Sequence, residues 1–332
     1  MTAAGMPRTL RLGTRRSRLA MTQSTHVADA LRAHGHTVEL VEIVTEGDRS
    51  SAPLEVIGGT GVFASALRAA LQRGEVDFAV HSLKDLPTTP EPGLVIAAIP
   101  RREDVRDVLI SRDGSTLGEL PSGARVGTGS PRRAAQVHAL GLGLETVSIR
   151  GNVETRIAAA TSGELDAVIL ARAGLSRLGL LDQVSETLDP IQILPAAGQG
   201  ALAVECRAAD EEVCRILAVL DDADTRTCVS AERAVLRALE AGCTAPVGVL
   251  AEVVEGMDEL ELSVRAFVGT KDGSVQLRRS LIGPVSDPEG VGLRLADLLL
   301  EDGADVAREP RPPDQRPDAA SRPTQPHTEN PS

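Results

Sequence analysis

Two side chains of opposite charge directly follow an apolar strand pattern in the stretch FAVHSLKDLP, residues 78–87. The ammonium of Lys84 can bind an acidic group, and the carboxylate of Asp85 can transfer a proton or stabilise a cation. Pro87 ends the turn, so both side chains lie at the carboxyl end of the predicted strand. Ligands of open α/β sheets bind at such ends. We therefore predict a catalytic pair; the alternative is a surface ion pair of little energetic weight.

Arginines follow other predicted strands. In RVGTGSPRRAAQ, residues 125–136, a glycine-containing strand exit precedes Ser130, which can cap a helix, and Pro131, which suits its first position. The positive end of that helix and the guanidinium groups of Arg132 and Arg133 would then face the same anion. Further polar residues near predicted strand ends are Arg15, Ser17, Arg150, Arg156 and Arg177. We expect them to line one cleft that binds a small polyanion.

The composition excludes several classes of protein. The net charge is −12, and the chain has three Phe but no Trp or Tyr. It therefore lacks both the overall basic charge and the stacking aromatics of nucleic-acid-binding proteins. No run approaches the roughly 20 apolar residues of a membrane helix, and the first residues lack the apolar core of a signal peptide. We expect a cytoplasmic protein without a membrane partner. Its four cysteines match no zinc pattern, so we expect no metal.

Short apolar runs alternate with helical patterns over the first half of the chain, which indicates an α/β fold with largely parallel sheets. The predicted strands are 9–14, 37–44, 76–82, 94–100, 107–111, 145–150 and 165–171. The predicted helices are 18–33, 62–73, 130–140 and 152–162.

Two internal matches indicate a repeated unit. RLGTRRS at 11–17 resembles RVGTGSP at 125–131, and GEVDFAV at 74–80 resembles GELDAVI at 163–169. Both pairs occur in the same order, so we infer two related lobes; the alternative is a chance match between common phrases. The first copy is longer by a segment that contains Gly, Ser and Pro at 45–61, which we expect to be a mobile loop.

The pattern changes after residue 219. A long helix is predicted at 224–241, followed by a helix near 288–301 and three strands between them. The three strands are 247–254, 259–268 and 274–283, with the sequence KDG as a hairpin turn before the last of them. This order predicts a small α+β domain. Residues 306–332 are rich in proline and poor in large apolar residues, so we expect disorder there.

Taken together, five motifs resemble the porphobilinogen deaminase (hydroxymethylbilane synthase) family. They are HSLKDLP, GTGSPRRAAQ, RGNVETR, PAAGQGALAVECR and ERAVLRALEAGC, in one order between about residues 8 and 305. The resemblance implies two lobes like those of periplasmic binding proteins, with a C-terminal α+β domain. The implied domains are 8–100 with 201–218 for the first lobe, 101–200 for the second, and 219–305 for the cofactor-carrying domain, followed by the tail.

The resemblance also implies an activity and a cofactor. Members of the family join four porphobilinogens head-to-tail, release four ammonias, and free hydroxymethylbilane with water, in tetrapyrrole (haem) biosynthesis. The growing chain is primed on a dipyrromethane held by a thioether, and Cys243 matches the cysteine that carries it. The resemblance also implies that the protein is a monomer.

The family motifs give each residue a role. Asp85 and Lys84 are implied to be catalytic. The residues implied to bind the cofactor are Cys243, Asp85, Lys84, Ser130, Arg132, Arg133 and Arg150. Those implied to bind the substrate are Arg15, Ser17, Arg150, Arg156, Arg177 and Gln199.

One position departs from the family pattern, and two other functions stay open. Thr60 stands where many members carry a lysine, in the loop that we expect to act as a lid. The first alternative function is a non-catalytic two-lobed binding protein for a small polyanion. The second is a phosphate-ester or nucleotide enzyme that uses the turn at 127–133, although no Walker lysine follows that turn.

Overall fold

The computed structural model describes residues 8–44, 62–241 and 245–307. The predicted lid at 45–61, the position of Cys243 and residues 308–332 of the predicted tail lie outside the described residues.

Strands and helices alternate along the first two thirds of the described chain. The strands are β1 (Thr9–Thr14), β2 (Thr37–Glu42), β3 (Phe78–Ser82), β4 (Leu94–Ala98), β5 (Asp107–Ser111), β6 (Arg125–Gly127), β7 (Glu145–Val147), β8 (Ala167–Ala171), β9 (Glu186–Thr187), β10 (Leu202–Arg207), β11 (Val247–Glu255), β12 (Leu260–Gly269) and β13 (Gln276–Pro284). The helices are α1 (Arg18–Ala33), α2 (Val62–Gln72), α3 (Pro131–Ala139), α4 (Val153–Thr161), α5 (Arg172–Leu178), α6 (Glu211–Leu217), α7 (Ala223–Ala238) and α8 (Pro288–Glu301).

Two five-stranded sheets share one topology. Their strand orders are β2-β1-β3-β10-β4 and β7-β6-β8-β5-β9. In each sheet the first three strands are parallel, and the fourth runs antiparallel to both of its neighbours. The matched sequences fall on β1 and β6 and on β3 and β8, which occupy equivalent places. The prediction of two related α/β lobes is confirmed. The prediction of largely parallel sheets is wrong, because the fourth strand of each sheet pairs antiparallel with both of its neighbours.

The fourth strand of each sheet is supplied by the returning chain. Strand β5 enters the second sheet directly after β4 of the first, and β10 returns to the first sheet after β9 of the second. The chain therefore crosses twice between the lobes. Because β5 and β10 run antiparallel to their neighbours, each begins at the edge where β8 or β3 ends. The first residues of β5 and the residues just before β10 thus lie beside the predicted site.

The remaining strands form a separate antiparallel sheet of order β11-β12-β13. Helices α7 and α8 pack on it, and their apolar residues share one core with the strands, including Val235, Val264 and Leu295. Thr270 N donates to Val275 O at 3.0 Å and closes the predicted KDG turn. The prediction of a C-terminal α+β domain is confirmed.

Some element boundaries differ from the sequence-based ones. The strand predicted at 145–150 is only Glu145–Val147, because its partner β6 ends at Gly127 and offers no further ladder. Helix α7 ends at Ala238 rather than at residue 241, and Glu240 adopts a left-handed backbone with a φ of 52°. Helix α5 and the two-residue strand β9 were not predicted; α5 begins directly after β8, without a loop to mark its start.

Candidate functional site

Lys84 and Asp85 lie in a single helical turn, Leu83–Asp85, at the carboxyl end of β3. The turn is held from below by Leu83, which is fully buried and whose N–H donates to Ala201 O at 3.0 Å. Lys84 is half-buried, whereas Asp85 is exposed. The strand end therefore presents the Asp85 carboxylate to solvent above a fixed base, as the sequence predicts.

Gln199 joins the Lys84 turn to the second lobe. Its side chain is buried, and Nε2 donates to Val105 O at 2.7 Å and to Asp107 Oδ1 at 2.8 Å. Its Oε1 accepts from Lys84 Nζ at 3.4 Å. The flanking Gly198 and Gly200 have φ values of 72° and 85°, in the region that favours glycine. The two glycines allow the backbone conformation that places the side-chain amide of Gln199 between the two lobes.

Asp107 is the carboxylate around which the second lobe's cations gather, and sequence reasoning missed it. As the first residue of β5 it lies at the edge where β8 ends. It is completely buried, and its two oxygens accept from Arg132 Nη2 at 2.8 Å and Arg133 Nη2 at 2.7 Å. Burial alone would raise the pKa of Asp107, but the two guanidinium groups and the Gln199 amide hold it well below its ordinary value.

We predicted that the guanidinium groups of Arg132 and Arg133 face a bound anion at the start of the helix. In the structure they bind Asp107 instead. Arg132 and Arg133 are only 3% and 5% exposed, and their Nη1 groups donate to Leu194 O and Ile169 O. Their Nε groups are buried and have no hydrogen-bond partner among the described residues. Each arginine is thus anchored by its terminal nitrogens, and its Nε–H stays without a partner among the described residues.

Ser130 occupies the N-cap position of α3, but its hydroxyl makes no capping hydrogen bond. The prediction that Ser130 caps this helix through its side chain is therefore wrong. Its backbone N–H instead donates to Thr128 Oγ1 at 3.2 Å. By contrast, the side chain of Asn152 caps α4, since its Oδ1 accepts from Thr155 N at 2.8 Å.

Arg156 lies on α4 close to the Lys84–Asp85 turn. Its Nε donates to Gly151 O at 3.0 Å. Burial lowers the pKa of Arg156, the positive charges of Arg133 and Arg150 lower it further, and the carboxylate of Asp85 opposes them. These mutual effects place Arg156 in one charge cluster with Asp85 and Arg133. Arg150 is exposed and flanks that cluster.

Lys84 belongs to the same cluster. Burial and the charges of Arg133 and Arg132 together lower the pKa of Lys84 to about 8, against the opposing carboxylates of Asp85 and Asp107. The structure thus brings together the site residues predicted from both lobes, namely Lys84, Asp85, Arg132, Arg133, Arg150, Arg156 and Gln199. Among the described residues, the cations of this cluster outnumber its carboxylates, Asp85 and Asp107.

The other predicted site residues lie on the borders of the two lobes. Arg177, on α5, donates from Nη2 to Gly200 O at 2.7 Å, and burial lowers its pKa. Ser17 caps α1 by accepting from Ala20 N at 3.3 Å, which leaves its hydroxyl proton for another acceptor. Arg15 is half-buried in the link between β1 and α1. Because β1 and β3 are parallel, this link lies at the same sheet edge as the Lys84–Asp85 turn.

The lobes touch where α1 begins. Arg18 Nη1 lies 3.0 Å from Glu154 Oε1, and Arg18 Nη2 donates to Leu178 O at 3.3 Å. Leu19 lies beside Gly174, where an added Cβ would come within 3.8 Å of the leucine side chain. The beginning of α1 in the first lobe therefore contacts both α4 and α5 of the second.

This arrangement suits a ligand with several carboxylates. Buried guanidinium groups with unused N–H donors form short, charge-assisted hydrogen bonds to carboxylate oxygens. No group of three His, Cys, Asp or Glu side chains in the described part of the chain could hold a metal ion. The same described residues contain no helix both long and apolar enough to cross a membrane. Fold and site thus define a two-lobed α/β protein in which a cluster of cations and one exposed carboxylate lie where the lobes meet.

Comparisons with known proteins give the family. The porphobilinogen deaminase, dipyromethane cofactor binding domain matches residues 10–215, and the porphobilinogen deaminase C-terminal domain matches residues 226–301. The porphobilinogen deaminase of Mycobacterium marinum is 58% identical over 300 residues, which are 89% of this chain and 95% of that protein. The one from Mycobacterium tuberculosis is also 58% identical, over 89% of this chain and 97% of its own. The chain belongs to the porphobilinogen deaminase family.

Two solved structures show weaker likenesses. The methionine-binding protein MetQ is 13% identical over 65% of this chain and 90% of its own, with a TM-score of 0.42. The VFT2 domain of Bordetella pertussis BvgS is 16% identical over 63% of this chain and 85% of its own, with a TM-score of 0.40.

Proposed function

We propose that this protein condenses four porphobilinogens head-to-tail into hydroxymethylbilane, with release of four ammonias, in tetrapyrrole (haem) biosynthesis. Membership of the porphobilinogen deaminase family supports this activity. The observation that carries the proposal is the exposed Asp85 carboxylate within a cluster of partly or fully buried cations that includes Lys84, Arg133 and Arg156.

The residues present fit a dipyrromethane cofactor. Each of its pyrroles carries an acetate and a propionate, and the unused Nε donors of Arg132 and Arg133 are buried groups that such carboxylates would satisfy. Lys84, Ser130 and Arg150 would bind further carboxylate oxygens. Cys243 would hold the cofactor through its sulfur, a short distance after the end of α7. When bound, the dipyrromethane supplies the free pyrrole carbon at which the chain grows.

Asp85 would act on the reacting pyrrole. Its carboxylate accepts hydrogen bonds from pyrrole N–H groups and stabilises the positive charge that develops on the substrate as ammonia leaves. It can also take the proton that the new carbon–carbon bond displaces. The turn Leu83–Asp85 holds this group through buried Leu83, so little reorganisation is needed when the charge appears.

The remaining cations bind the substrate's carboxylates. Those assigned to this role are Arg15, Arg150, Arg156 and Arg177, together with Ser17 and Gln199. Gln199 also forms hydrogen bonds with both Lys84 and Asp107, so it links a charged residue of one lobe to a charged residue of the other. A hydrogen bond to a charged group contributes about 1.5–3 kcal/mol, which corresponds to roughly a ten- to hundredfold change in binding.

We also propose that the protein acts as a monomer in the cytoplasm. Cys206, Cys214 and Cys228 are free thiols in the described structure, which suits a reducing compartment. Light scattering after gel filtration should give the mass of one chain, and a dimer mass would contradict the proposed monomer.

The test of the activity is the intact mass of the denatured protein followed by tryptic mapping. We expect excess mass equal to two condensed porphobilinogen units on the peptide 238–265, whose single cysteine is Cys243. Adding porphobilinogen should release ammonia, which a non-catalytic binding protein would not do.

Two cysteine variants complete this experiment. Cys243→Ser should lack the added mass and release no ammonia, whereas Cys228→Ser should keep both, because Cys228 is buried in the core of the C-terminal domain. If the wild-type protein, after incubation with porphobilinogen, carried no adduct and released no ammonia, the proposed activity would be wrong.

A further inference from the structure

Two thiols in the first lobe lie almost in contact, away from the candidate functional site. Cys206 Sγ on β10 is 3.5 Å from Cys214 Sγ on α6. A disulfide needs the two sulfurs to approach to about 2.05 Å, so an approach of about 1.5 Å would join them. We propose that Cys206 and Cys214 are an oxidisable pair that forms a disulfide when the protein meets a peroxide. The proposal does not depend on the proposed function.

The local fold holds the two sulfurs together. Strand β10 ends at Arg207, and Asp210 caps α6 by accepting from Val213 N at 3.2 Å. This short connection turns the chain back, so that α6 packs against β10 and β4. Cys214 Sγ also lies 3.7 Å from Arg207 O. The pair is therefore fixed by a tight strand-to-helix turn rather than by a flexible loop.

The two thiols differ in accessibility, and this sets the order of the steps. Cys206 is fully buried in the core of the first lobe, whereas Cys214 is half-buried. Burial, and next the hydrogen bond with Cys214, hold the pKa of the Cys206 thiol far above its ordinary value. A thiolate is the reactive form of cysteine, so the more accessible Cys214 reacts first.

The reaction balances with one peroxide per disulfide. The Cys214 thiolate attacks one peroxide oxygen, the O–O bond breaks, and the products are a sulfenic acid and hydroxide, which takes up a proton to become water. Cys206 sulfur then attacks the Cys214 sulfur, gives up its proton, and displaces the sulfenic oxygen as a second water. The two thiols lose two electrons and the peroxide gains them.

The pair lies at the opposite end of β10 from the charge cluster. Cys206 pairs with Phe78, the first residue of β3, whereas Lys84 follows the last residue of that strand. The disulfide would join two elements that already pack together. We therefore expect oxidation to raise the thermal midpoint of the protein by roughly 5 °C.

Tryptic mapping under non-reducing conditions reads out the bond directly. Trypsin cleaves after Arg207 and after Arg215, so the two cysteines fall on different peptides, 178–207 and 208–215. After treatment of the full-length protein with hydrogen peroxide and alkylation of the remaining thiols, we expect one linked peptide pair. Its mass should be lower by two hydrogens than the sum of the two peptides, and dithiothreitol should separate them.

Two variants distinguish this bond from general oxidation. Cys214→Ser replaces the half-buried partner, and should abolish both the linked peptide and the rise in thermal midpoint. Cys228→Ser removes another buried thiol and should keep both. Free thiols on both peptides, or a sulfinic acid on Cys214 without linkage, would overturn the proposal. A fully linked protein with an unchanged midpoint would overturn its stabilising effect.

Discussion

At the scale of single residues, Lys84 offers a direct measurement of carboxylate binding. Burial lowers the pKa of its ammonium to about 8, so the group is charged below that pH and becomes a neutral amine above it. A carboxylate bound beside it favours the charged form. A hydrogen bond between two charged groups contributes about 1.5–3 kcal/mol, which corresponds to a rise in the pKa of about 1–2 pH units. We therefore predict that the pKa of Lys84 rises by about that amount when the apoprotein is loaded with porphobilinogen.

The chain is well suited to this measurement because Lys84 and Lys271 are its only lysines. Reductive methylation with ¹³C-formaldehyde gives separate NMR signals for the two side chains, and the variant Lys271→Arg assigns them. The Lys84 signal should titrate near pH 8 before loading and at a higher pH afterwards. Titration of Lys84 at the same pH in both states would show that it binds no carboxylate.

At the scale of elements, the glycine before β10 fixes how the two lobes meet. Gly200 has a φ of 85°, and a Cβ added there would overlap with Glu103 O. Its own carbonyl accepts from Arg177. We predict that Gly200→Ala lowers the free energy of unfolding by more than the roughly 1–2 kcal/mol of a left-handed alanine, because the backbone around Glu103 must also move. Urea denaturation measures this loss.

Gly179 provides a matched control for Gly200. It has a φ of 70° at the end of α5, but no atom lies within 4 Å of its added Cβ. Gly179→Ala should therefore show only the cost of the left-handed backbone. Equal losses for the two variants would mean that the close approach to Glu103 adds nothing.

The elements themselves were largely predictable from the sequence. The predicted boundaries are correct for helices α1 and α8, because apolar periodicity and capping residues indicate the same ends. They are also correct for strands β1 and β5, whose apolar runs are short and sharply bounded. The Ser17 and Asp287 side chains cap the two helices. Elements with weak local signals were missed or misjudged: β9 has only two residues, and the length of β7 depends on the partner strand β6.

The site was predictable in part, for a different physical reason. Strand-end reasoning indicated Lys84, Asp85 and the arginine pair, but it could not show that Arg132 and Arg133 turn inward. Their partner Asp107 directly precedes three apolar residues of a buried strand, which was the available signal. A charged residue in a buried strand needs a countercharge, and that requirement points to the two arginines.

At the scale of the whole molecule, the chain's double crossing lets the lobes share one site without one continuous core. Strands β5 and β10 begin beside the charge cluster, and the hydrogen bond between Gln199 and Asp107 connects them. The apolar cores of the two sheets are separate clusters, one built around Leu12 and Val204 and another around Val126 and Ile169. The lobes can therefore shift relative to each other at the cost of polar contacts rather than of a shared apolar core.

The contact of Arg18 with Glu154 tests this view, because it joins the lobes through side chains that are 60% and 37% exposed. Such a pair contributes about 0.2–1 kcal/mol and is screened by salt. We predict that a double-mutant cycle of Arg18→Ala and Glu154→Gln gives a coupling energy in that range at low ionic strength and almost none in 1 M NaCl, measured by urea denaturation.

The control is the same double-mutant cycle on Arg237 and Glu289, an exposed ion pair within the C-terminal domain. These control variants should leave the apparent affinity for porphobilinogen unchanged. Loss of the Arg18 contact should alter that affinity several-fold at most. A coupling above about 2 kcal/mol that persists in salt would instead mean that the lobes are rigidly joined at this edge.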